Sequence, residues 1–262
     1  MKRKVRIAGM MRVKNEERWI RRSVKSLFPL CEYVCILDDN SIDNTTDCID
    51  SIEDSATHYY SSPFDGLDEQ RDKNYLLGLT LREGFLLNDF APDWIIHIDG
   101  DEVLGDSSAE KILQAIETVE PHIQAFTFKV DYLWDRPDQY RVDGRYDRFW
   151  RGSMFRTVDL ERGFRSTRYG DGANFHCSNI PGGIKYAIPV PVRLKHYGYM
   201  DRVDRLAKWE YYNRIDPDNE VEDRYRHMIL GDREDLPAEM KTKWAGPLEL
   251  KEWVDGPVEL PK

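Results

Sequence analysis

The sequence lacks the features that would place the chain across a membrane or along a nucleic acid. None of its apolar runs approaches the ~20 residues of a membrane-spanning helix, and the charged residues 2–4 lead directly into an apolar stretch, unlike a signal peptide. Acidic residues outnumber basic ones, 48 to 38, for a net charge of −10, which disfavours broad contact with a phosphate backbone. We expect a cytoplasmic protein with no transmembrane segment and no nucleic-acid partner, and leave peripheral contact with a membrane open.

Common signatures of cofactor and metal binding are absent too. No G-x-G-x-x-G follows the first predicted strand, where Gly9 is followed by residues 10–12 (MMR), and this argues against a Rossmann dehydrogenase. No Walker A sequence occurs, so the usual kinase and ATPase signature is missing. The four cysteines have no zinc-type C-x-x-C spacing. Without a disulfide framework, they fit a reducing compartment.

Apolar runs alternate with amphipathic segments over the first hundred residues. Strands are predicted near residues 5–11, 33–37, 57–60 and 94–98, with helices between them. Strands that alternate with helices indicate the α/β class, in which a mostly parallel, mixed central sheet is flanked by helices. At 262 residues, a single Rossmann-like domain with a C-terminal extension accounts for the chain.

Acidic residues directly follow two of the predicted strands. Asp99, Gly100 and Asp101 come after the strand at 94–98, and the segment 38–45 (DDNSIDNT) comes after the strand at 33–37. Carboxyl ends of parallel strands share one edge of a sheet, so these groups and residues 12–16 should gather there. Carboxylates at i and i+2 can both turn toward one Mg²⁺ or Mn²⁺ ion. Asp and Gly are also ordinary turn residues, but the second acidic strand end favours a binding site.

Four segments, in this order, resemble the family 2 glycosyltransferases of the GT-A fold. They are residues 13–17 (VKNEE), 38–45 (DDNSIDNT), 71–74 (RDKN) and 98–102 (IDGDE). The resemblance covers residues 4–104 well and the rest loosely. It implies transfer of a sugar from a nucleoside diphosphate sugar with inversion at the anomeric carbon. It also implies a division into a nucleotide-sugar-binding half, an acceptor-binding half and a helical or irregular extension, at residues 1–104, 105–200 and 201–262.

The resemblance assigns roles to individual residues by analogy. Arg12 and Lys14 would flank the nucleotide, Asp39 would read the base, and Arg71 would reach the base or the phosphates. The whole implied nucleotide site is Arg12, Lys14, Asn15, Asp39, Arg71, Asp99 and Gly100. The implied ligands of Mn²⁺ or Mg²⁺ are Asp99, Asp101 and His196, with His176 as an alternative histidine. A lone histidine is more often structural than a ligand, so the third ligand is left open.

The sequence offers two candidates for the base that takes the acceptor proton. Related enzymes often carry a His-Glu pair where this chain has His176 and Cys177, and a thiol is a poor replacement for a carboxylate base. Asp171, on the same glycine-containing loop, is the first candidate, and Asp147, beside Arg148, is the second. Either residue alone is also explained as an ordinary turn or ion-pair carboxylate.

These observations predict a metal-dependent inverting glycosyltransferase of the hexosyl or a related class, acting in glycan or surface-polysaccharide synthesis. The donor is a nucleoside diphosphate sugar, by default a UDP-sugar, and the acceptor hydroxyl belongs to a saccharide or a lipid-linked saccharide. Aromatic and acidic residues between 131 and 150 suit a sugar pocket, although core packing explains them equally well. The alternatives are a nucleotidyltransferase that uses the same acidic metal site and a non-catalytic sugar-binding protein. Whether the chain forms a homodimer is left open.

Overall fold

A computed structural model describes residues 4–89, 91–159, 163–164, 168–170, 178–218, 224–254 and 260. The strands, in chain order, are β1 Ile7–Val13, β2 Tyr33–Asp38, β3 Thr57–Ser61, β4 Trp94–His97, β5 Glu102–Leu104, β6 Ala125–Trp134, β7 Arg136–Arg141, β8 Trp150–Arg156, β9 Val158–Asp159, β10 Gly163–Phe164, β11 Ala187–His196 and β12 Leu250–Glu252. The helices are α1 Ile20–Leu27, α2 Thr45–Asp50, α3 Glu69–Asn88, α4 Ser108–Thr118 and α5 Arg202–Ile215. Short 3₁₀ helices cover Tyr146–Arg148 and Arg226–Ile229.

One mixed sheet runs through both predicted halves of the chain. Its main path is β12-β7-β6-β8-β4-β1-β2-β3, and β11 lies beside β6 and also pairs with β5. The strands β4, β1, β2 and β3 are parallel neighbours, whereas β8 joins β4 and β6 in antiparallel fashion. The predicted α/β class, with a mixed central sheet flanked by helices, is confirmed.

The central strands are buried on both faces, which explains their near-continuous apolar sequences. Alternate side chains of β2 belong to different core clusters: Val34 and Ile36 pack with α1, and Cys35 and Leu37 pack with α3. The two helices therefore cover opposite faces of the sheet, as a strand with period-2 side chains requires. Because β1 is parallel to both β2 and β4, the carboxyl ends of these three strands lie at one edge of the sheet.

Element boundaries differ from the sequence-based predictions where loops compete with regular structure. The helix predicted between the first two strands does not follow β1 directly, and α1 begins at Ile20. Asn15 has a φ of 56°, a left-handed conformation that Asn tolerates and a helix does not. The pattern did not predict β7, whose residues are largely exposed. Among the described residues, no helix is both long and apolar enough to cross a bilayer.

The C-terminal extension is held to the sheet by a buried arginine on α5. Arg205 is 1% exposed, and its guanidinium forms a two-point ion pair with Asp232 at 2.6 and 2.7 Å. It also donates to Asp135 at 2.8 Å and to the carbonyls of Tyr199 and Met200. Such a planar fork fixes both the position and the rotation of the helix that carries it.

We expect Arg205→Met to lower the free energy of unfolding by about 3 kcal/mol, because the buried Asp232 loses its two-point partner and keeps only the long contact with Arg202 at 3.9 Å. Arg214→Met removes an exposed arginine from the last turn of the same helix and should change stability by less than about 0.5 kcal/mol. Urea unfolding of the two variants measures the difference. Equal losses would show that Arg205 does not anchor α5.

Candidate functional site

The loops that follow β1 and β2 are joined by hydrogen bonds between them. The backbone N–H of Asn15 donates to Ser41 Oγ at 2.8 Å, and Asn15 Oδ1 accepts from the backbone N–H of Ile42 at 2.8 Å. The N–H of Glu16 donates to Thr45 Oγ1 at 2.6 Å. These contacts give Asn15 a structural part in the loops, and they confirm that both loops gather at one edge.

A chain of alternating charges crosses this edge from α3 to the second loop. Asp72 is fully buried and accepts from Arg71 Nε at 2.9 Å and from Arg12 Nε at 3.0 Å. Arg12 Nη2 donates to Asp39 Oδ2 at 2.5 Å, and Lys14 Nζ lies 3.4 Å from the same oxygen. The structure thus brings Arg12, Lys14, Asp39 and Arg71 together. Asp72, which the sequence analysis left without a role, is the link.

The loop after β4 also reaches this edge, and Asp99 is neutralised there. Asp99 Oδ2 accepts from Arg151 Nη1 at 2.8 Å, and Asp99 Oδ1 accepts from Asn179 Nδ2 at 3.1 Å. Asn179 Oδ1 in turn accepts from Lys73 Nζ at 3.0 Å. Burial favours the neutral acid, but the positive charges of Arg151 and Lys73 outweigh it and hold the pKa of Asp99 below its usual value. Both carboxylate oxygens of Asp99 are therefore engaged.

Asp101 faces a different cation, the ammonium of Lys208 on α5. Lys208 Nζ donates to Asp101 Oδ2 at 2.7 Å, and His196 Nε2 lies 3.8 Å from the same oxygen. Asp101 is 3% exposed. Burial raises the pKa of Asp101, but His196 and Lys208 lower it by more than burial raises it, so this pKa lies below the usual value. Burial also depresses the pKa of Lys208, and the carboxylates of Asp101 and Glu16 more than offset it, so the net shift is upward.

Two further carboxyls at this edge have raised pKa values. Burial and the neighbouring charge of Asp101 raise the pKa of Glu16 well above its usual value. Burial raises the pKa of Glu102 to about 7, although Arg151 forms an ion pair with it. Glu102 Oε1 has no hydrogen-bond partner among the described residues. Among Glu16, Asp99, Asp101 and Glu102, the negative charge is thus held mainly by Asp99 and Asp101.

His196 is held in a tautomer that does not suit a metal ligand. Its Nδ1 accepts a hydrogen bond from the backbone N–H of Gly198 at 3.1 Å. Burial lowers the pKa of His196 to about 4, so the ring is neutral near pH 7, and the single ring proton resides on Nε2. A ligating histidine instead donates its second N–H to an acceptor and presents a bare nitrogen to the ion. Here the nitrogen that faces Asp101 carries the proton.

The predicted divalent cation therefore does not fit the donor atoms as they are arranged. Asp99 is engaged by Arg151 and Asn179, Asp101 is engaged by Lys208, and His196 presents an N–H. Within the part of the chain that the structure describes, no three His, Cys, Asp or Glu side chains form a group that would hold a metal ion. The residues predicted as ligands do lie together, but their charges are balanced internally.

The two candidate bases have different outcomes. Asp171 and the alternative ligand His176 lie outside the described residues. Asp147 lies in the 3₁₀ helix before β8, where Lys129 Nζ donates to its backbone carbonyl at 2.8 Å and sits 3.9 Å from Oδ1. Asp147 lines a cavity of about 590 Å³ with Phe149 and Trp244. No hydrogen bond or ion pair between described residues joins it to Asp99 or Asp101, so its role stays a prediction.

An aromatic stack connects this cavity with the acidic edge. The Phe149 ring lies 6.0 Å from Tyr132, and Tyr132 stacks on His196 at 4.8 Å between ring centroids. His196 then faces Asp101. A line of three packed rings therefore runs from the lining of the cavity to Asp101 at the acidic edge.

Comparison of the sequence with protein families and with curated proteins finds no match. Among solved structures, the chain is similar to TarS of S. aureus (12% identity, 87% of this chain and 48% of that chain, TM-score 0.48). It is also similar to TarS 1–349 in complex with UDP (11% identity, 80% and 66%, TM-score 0.48). A third similar structure is glucosyl-3-phosphoglycerate synthase from Mycobacterium tuberculosis with Mg²⁺ and UDP (21% identity, 49% and 44%, TM-score 0.34). The chain spans about half of the full TarS chain, and similarity at these TM-scores carries no conclusion about activity.

We expect Gly198→Ala to disrupt the Asp101–Lys208 pair. A Cβ at position 198 would lie 2.0 Å from Asp101 Oδ2 and 2.3 Å from Lys208 Nζ, so the free energy of unfolding should fall by about 2 kcal/mol. Gly78→Ala, in the interior of α3 with no atom within 4 Å of the new Cβ, should instead raise it by about 0.5 kcal/mol. Thermal and urea unfolding report both signs, and a Gly198→Ala protein as stable as wild type would contradict the close packing.

Proposed function

We propose that the protein is a glycosyltransferase that takes its sugar from a nucleoside diphosphate donor. The observation that carries the proposal is the convergence of the loops after β1, β2 and β4 and the start of α3 on one edge of the sheet. Arg12 and Asp39 are joined there directly, and Asp72 links both to Arg71. Ligands of open α/β sheets bind at the carboxyl ends of the strands, and this edge offers both cations and carboxylates to a nucleotide.

Asp39 is the proposed contact to the base. It is 2% exposed and is fixed by Arg12 and Lys14, and its carboxylate oxygens are hydrogen-bond acceptors. Uracil, thymine and guanine each carry a ring N–H that such an acceptor can bind, whereas cytosine presents an acceptor at the corresponding edge. The position supports a uridine, thymidine or guanosine donor, with UDP-sugar as the first choice.

The diphosphate is the part of the donor that most needs positive charge. It becomes the leaving group, and its developing negative charge must be neutralised for the sugar to transfer. Lys14 is 42% exposed at its side chain, so its ammonium is available to an anion at this edge. Arg12, held by Asp39 and Asp72, adds positive charge close to it. Mn²⁺ or Mg²⁺ at Asp99, Asp101 and His196 stays a prediction of the sequence, and the activity assay below tests it directly.

The acceptor is proposed to be a saccharide that enters from the cavity lined by Phe149 and Trp244. Apolar faces of sugar rings stack on such aromatic side chains, and the volume of about 590 Å³ lies within the usual range of small-ligand sites. Direct attack of an acceptor hydroxyl on the anomeric carbon inverts it and needs one base. Asp171 and Asp147 remain the candidates, and of the two Asp147 lines this cavity.

Incubation with UDP-, TDP- and GDP-sugars, with Mn²⁺ and separately with EDTA, tests the proposed function. Release of nucleoside diphosphate, with transfer to a mixture of saccharide acceptors or to water, supports it. In a parallel incubation with nucleoside triphosphates and a sugar phosphate, release of pyrophosphate would instead establish a nucleotidyltransferase. Binding of a sugar without release of either product would indicate the non-catalytic alternative.

We expect Asp101→Asn to lower the release of nucleoside diphosphate by about 100-fold or more. The Asp101 carboxylate anchors a cation beside the leaving group, either the predicted metal ion or the ammonium of Lys208, and the substitution removes the negative charge that holds it. Asp138→Asn removes an exposed carboxylate that pairs with Arg136 on β7 and should change the rate less than about twofold. Initial rates at saturating donor measure both. A loss of activity counts only if circular dichroism shows the variant to be folded, and full activity in Asp101→Asn would contradict the assignment.

A further inference from the structure

We propose that the ammonium of Lys208, held by Asp101, is the cation that binds the diphosphate of the donor, where the sequence predicts Mn²⁺ or Mg²⁺. This inference rests on the proposed function and names the group that carries the charge. Lys208 Nζ lies 2.7 Å from Asp101 Oδ2, so the cation belongs to the chain itself. The C-terminal extension supplies this ammonium to the loop that follows β4.

The position of Lys208 is fixed by the anchoring of α5. Arg205 lies three residues earlier, on the same face of the helix, and is clamped by Asp232 at 2.6 Å. At the helix start, Arg18 Nη1 donates to Asp204 Oδ2 at 2.5 Å. The helix α5 is thus tied to a later part of the extension at Asp232. It is also tied, through Arg18, to the segment just before α1. Lys208 is a placed side chain and not a freely moving surface lysine.

The backbone around the pair leaves room for nothing larger than glycine. A Cβ on Gly198 would lie 2.0 Å from Asp101 Oδ2, 2.3 Å from Lys208 Nζ and 2.9 Å from His196 Cε1. Only glycine allows the backbone to approach both charged atoms this closely. The absence of a side chain at residue 198 therefore leaves the space in which Asp101 and Lys208 meet.

The same contacts oppose a divalent ion at Asp101. An ion bound to this carboxylate would lie within a few ångströms of the ammonium, at a strong electrostatic cost in a partly buried setting. His196 cannot compensate, because Gly198 N–H occupies its Nδ1 and the proton sits on Nε2. Asp99 is likewise held by Arg151 at 2.8 Å. Each ligand of the predicted ion already has another partner.

Lys208 retains the capacity to bind an anion. Its side chain is 30% exposed, and within the described residues Asp101 is the hydrogen-bond partner of Nζ. An ammonium has three N–H donors, so two remain for a ligand at the open side. Lysine is a common phosphate-binding residue that acts as a point charge. A diphosphate, with several negative charges and many acceptor oxygens, is the chemical class that this arrangement suits.

Calorimetric titration with UDP, TDP and GDP, in EDTA and in Mn²⁺, tests the inference on the full-length chain. We expect wild type to bind one of these nucleotides with the same affinity, within about twofold, in both buffers. Lys208→Gln should weaken binding in EDTA about tenfold, the loss of one charge-assisted contact, and Lys208→Arg should keep it within about threefold. Lys25→Gln, which removes an exposed lysine in the last turn of α1, should leave it unchanged.

The outcomes separate this inference from the proposed function. If wild type binds a nucleotide in Mn²⁺ but not in EDTA, or if folded Lys208→Gln binds in EDTA as wild type does, the Lys208 assignment is wrong and the glycosyltransferase proposal stands. If wild type binds none of the three nucleotides in either buffer, the proposed function itself fails. If Lys208→Gln does not fold, the comparison of wild type in the two buffers, together with Lys208→Arg, still decides.

Discussion

A carboxylate removed from water needs a cation or several hydrogen-bond donors beside it, and the carboxyl edge of this sheet has several such groups. Asp72 and Asp39 share Arg12 from β1. Asp99 pairs with Arg151 from β8, and Asp101 pairs with Lys208 from α5. Asp39, Asp72 and Asp101 are buried, and leaving any one of these three unpaired would be strongly destabilising. The edge therefore exists only when strands and helices from both halves of the chain are in place.

This charge balance divides the edge into two regions with different tendencies. Around Asp39 and Asp72 there are three cations for two carboxylates, since Lys14 and Arg71 join Arg12. Of these three cations, Lys14 has the most exposed side chain, at 42%, and it is the one open to an anionic ligand. Around Asp99 and Asp101, Arg151 and Lys208 face those two carboxylates and Glu102, whose pKa is raised to about 7. A ligand that lies across both regions would place its anionic part between Lys14 and Lys208.

The sequence predicted the part of the site that local patterns determine. Strands that end in acidic loops were recognisable because apolar runs stop directly before Asp38 and Asp99, and the parallel arrangement then placed those loops together. The contacts that balance their charges were not predictable. Asp99 and Arg151 are 52 residues apart, and Asp101 and Lys208 are 107 residues apart. No periodicity joins such pairs, because strand pairing and helix docking bring them together.

His196 shows the same limit at the level of a single atom. Its position late in the chain favoured a metal ligand, and the structure does place it 3.8 Å from Asp101. Whether its Nε2 offers a lone pair or a proton depends on what faces Nδ1, and that group is the backbone N–H of Gly198. A residue type and a spacing do not encode this direction. The chemistry of the ring is decided by the turn that follows β11.

An ammonium in place of a divalent ion changes what the rest of the edge must do. It carries one positive charge where Mn²⁺ or Mg²⁺ carries two, so a diphosphate leaving group needs additional cations from the chain, and Arg12 and Lys14 lie at the same edge. Unlike an ion that exchanges with solvent, Lys208 is as well placed as the helix that carries it. The ion pairs of Arg205 with Asp232 and of Arg18 with Asp204 then become positioning interactions for donor binding. The C-terminal extension, to which the sequence assigned no functional residue, is thereby a structural part of the proposed site.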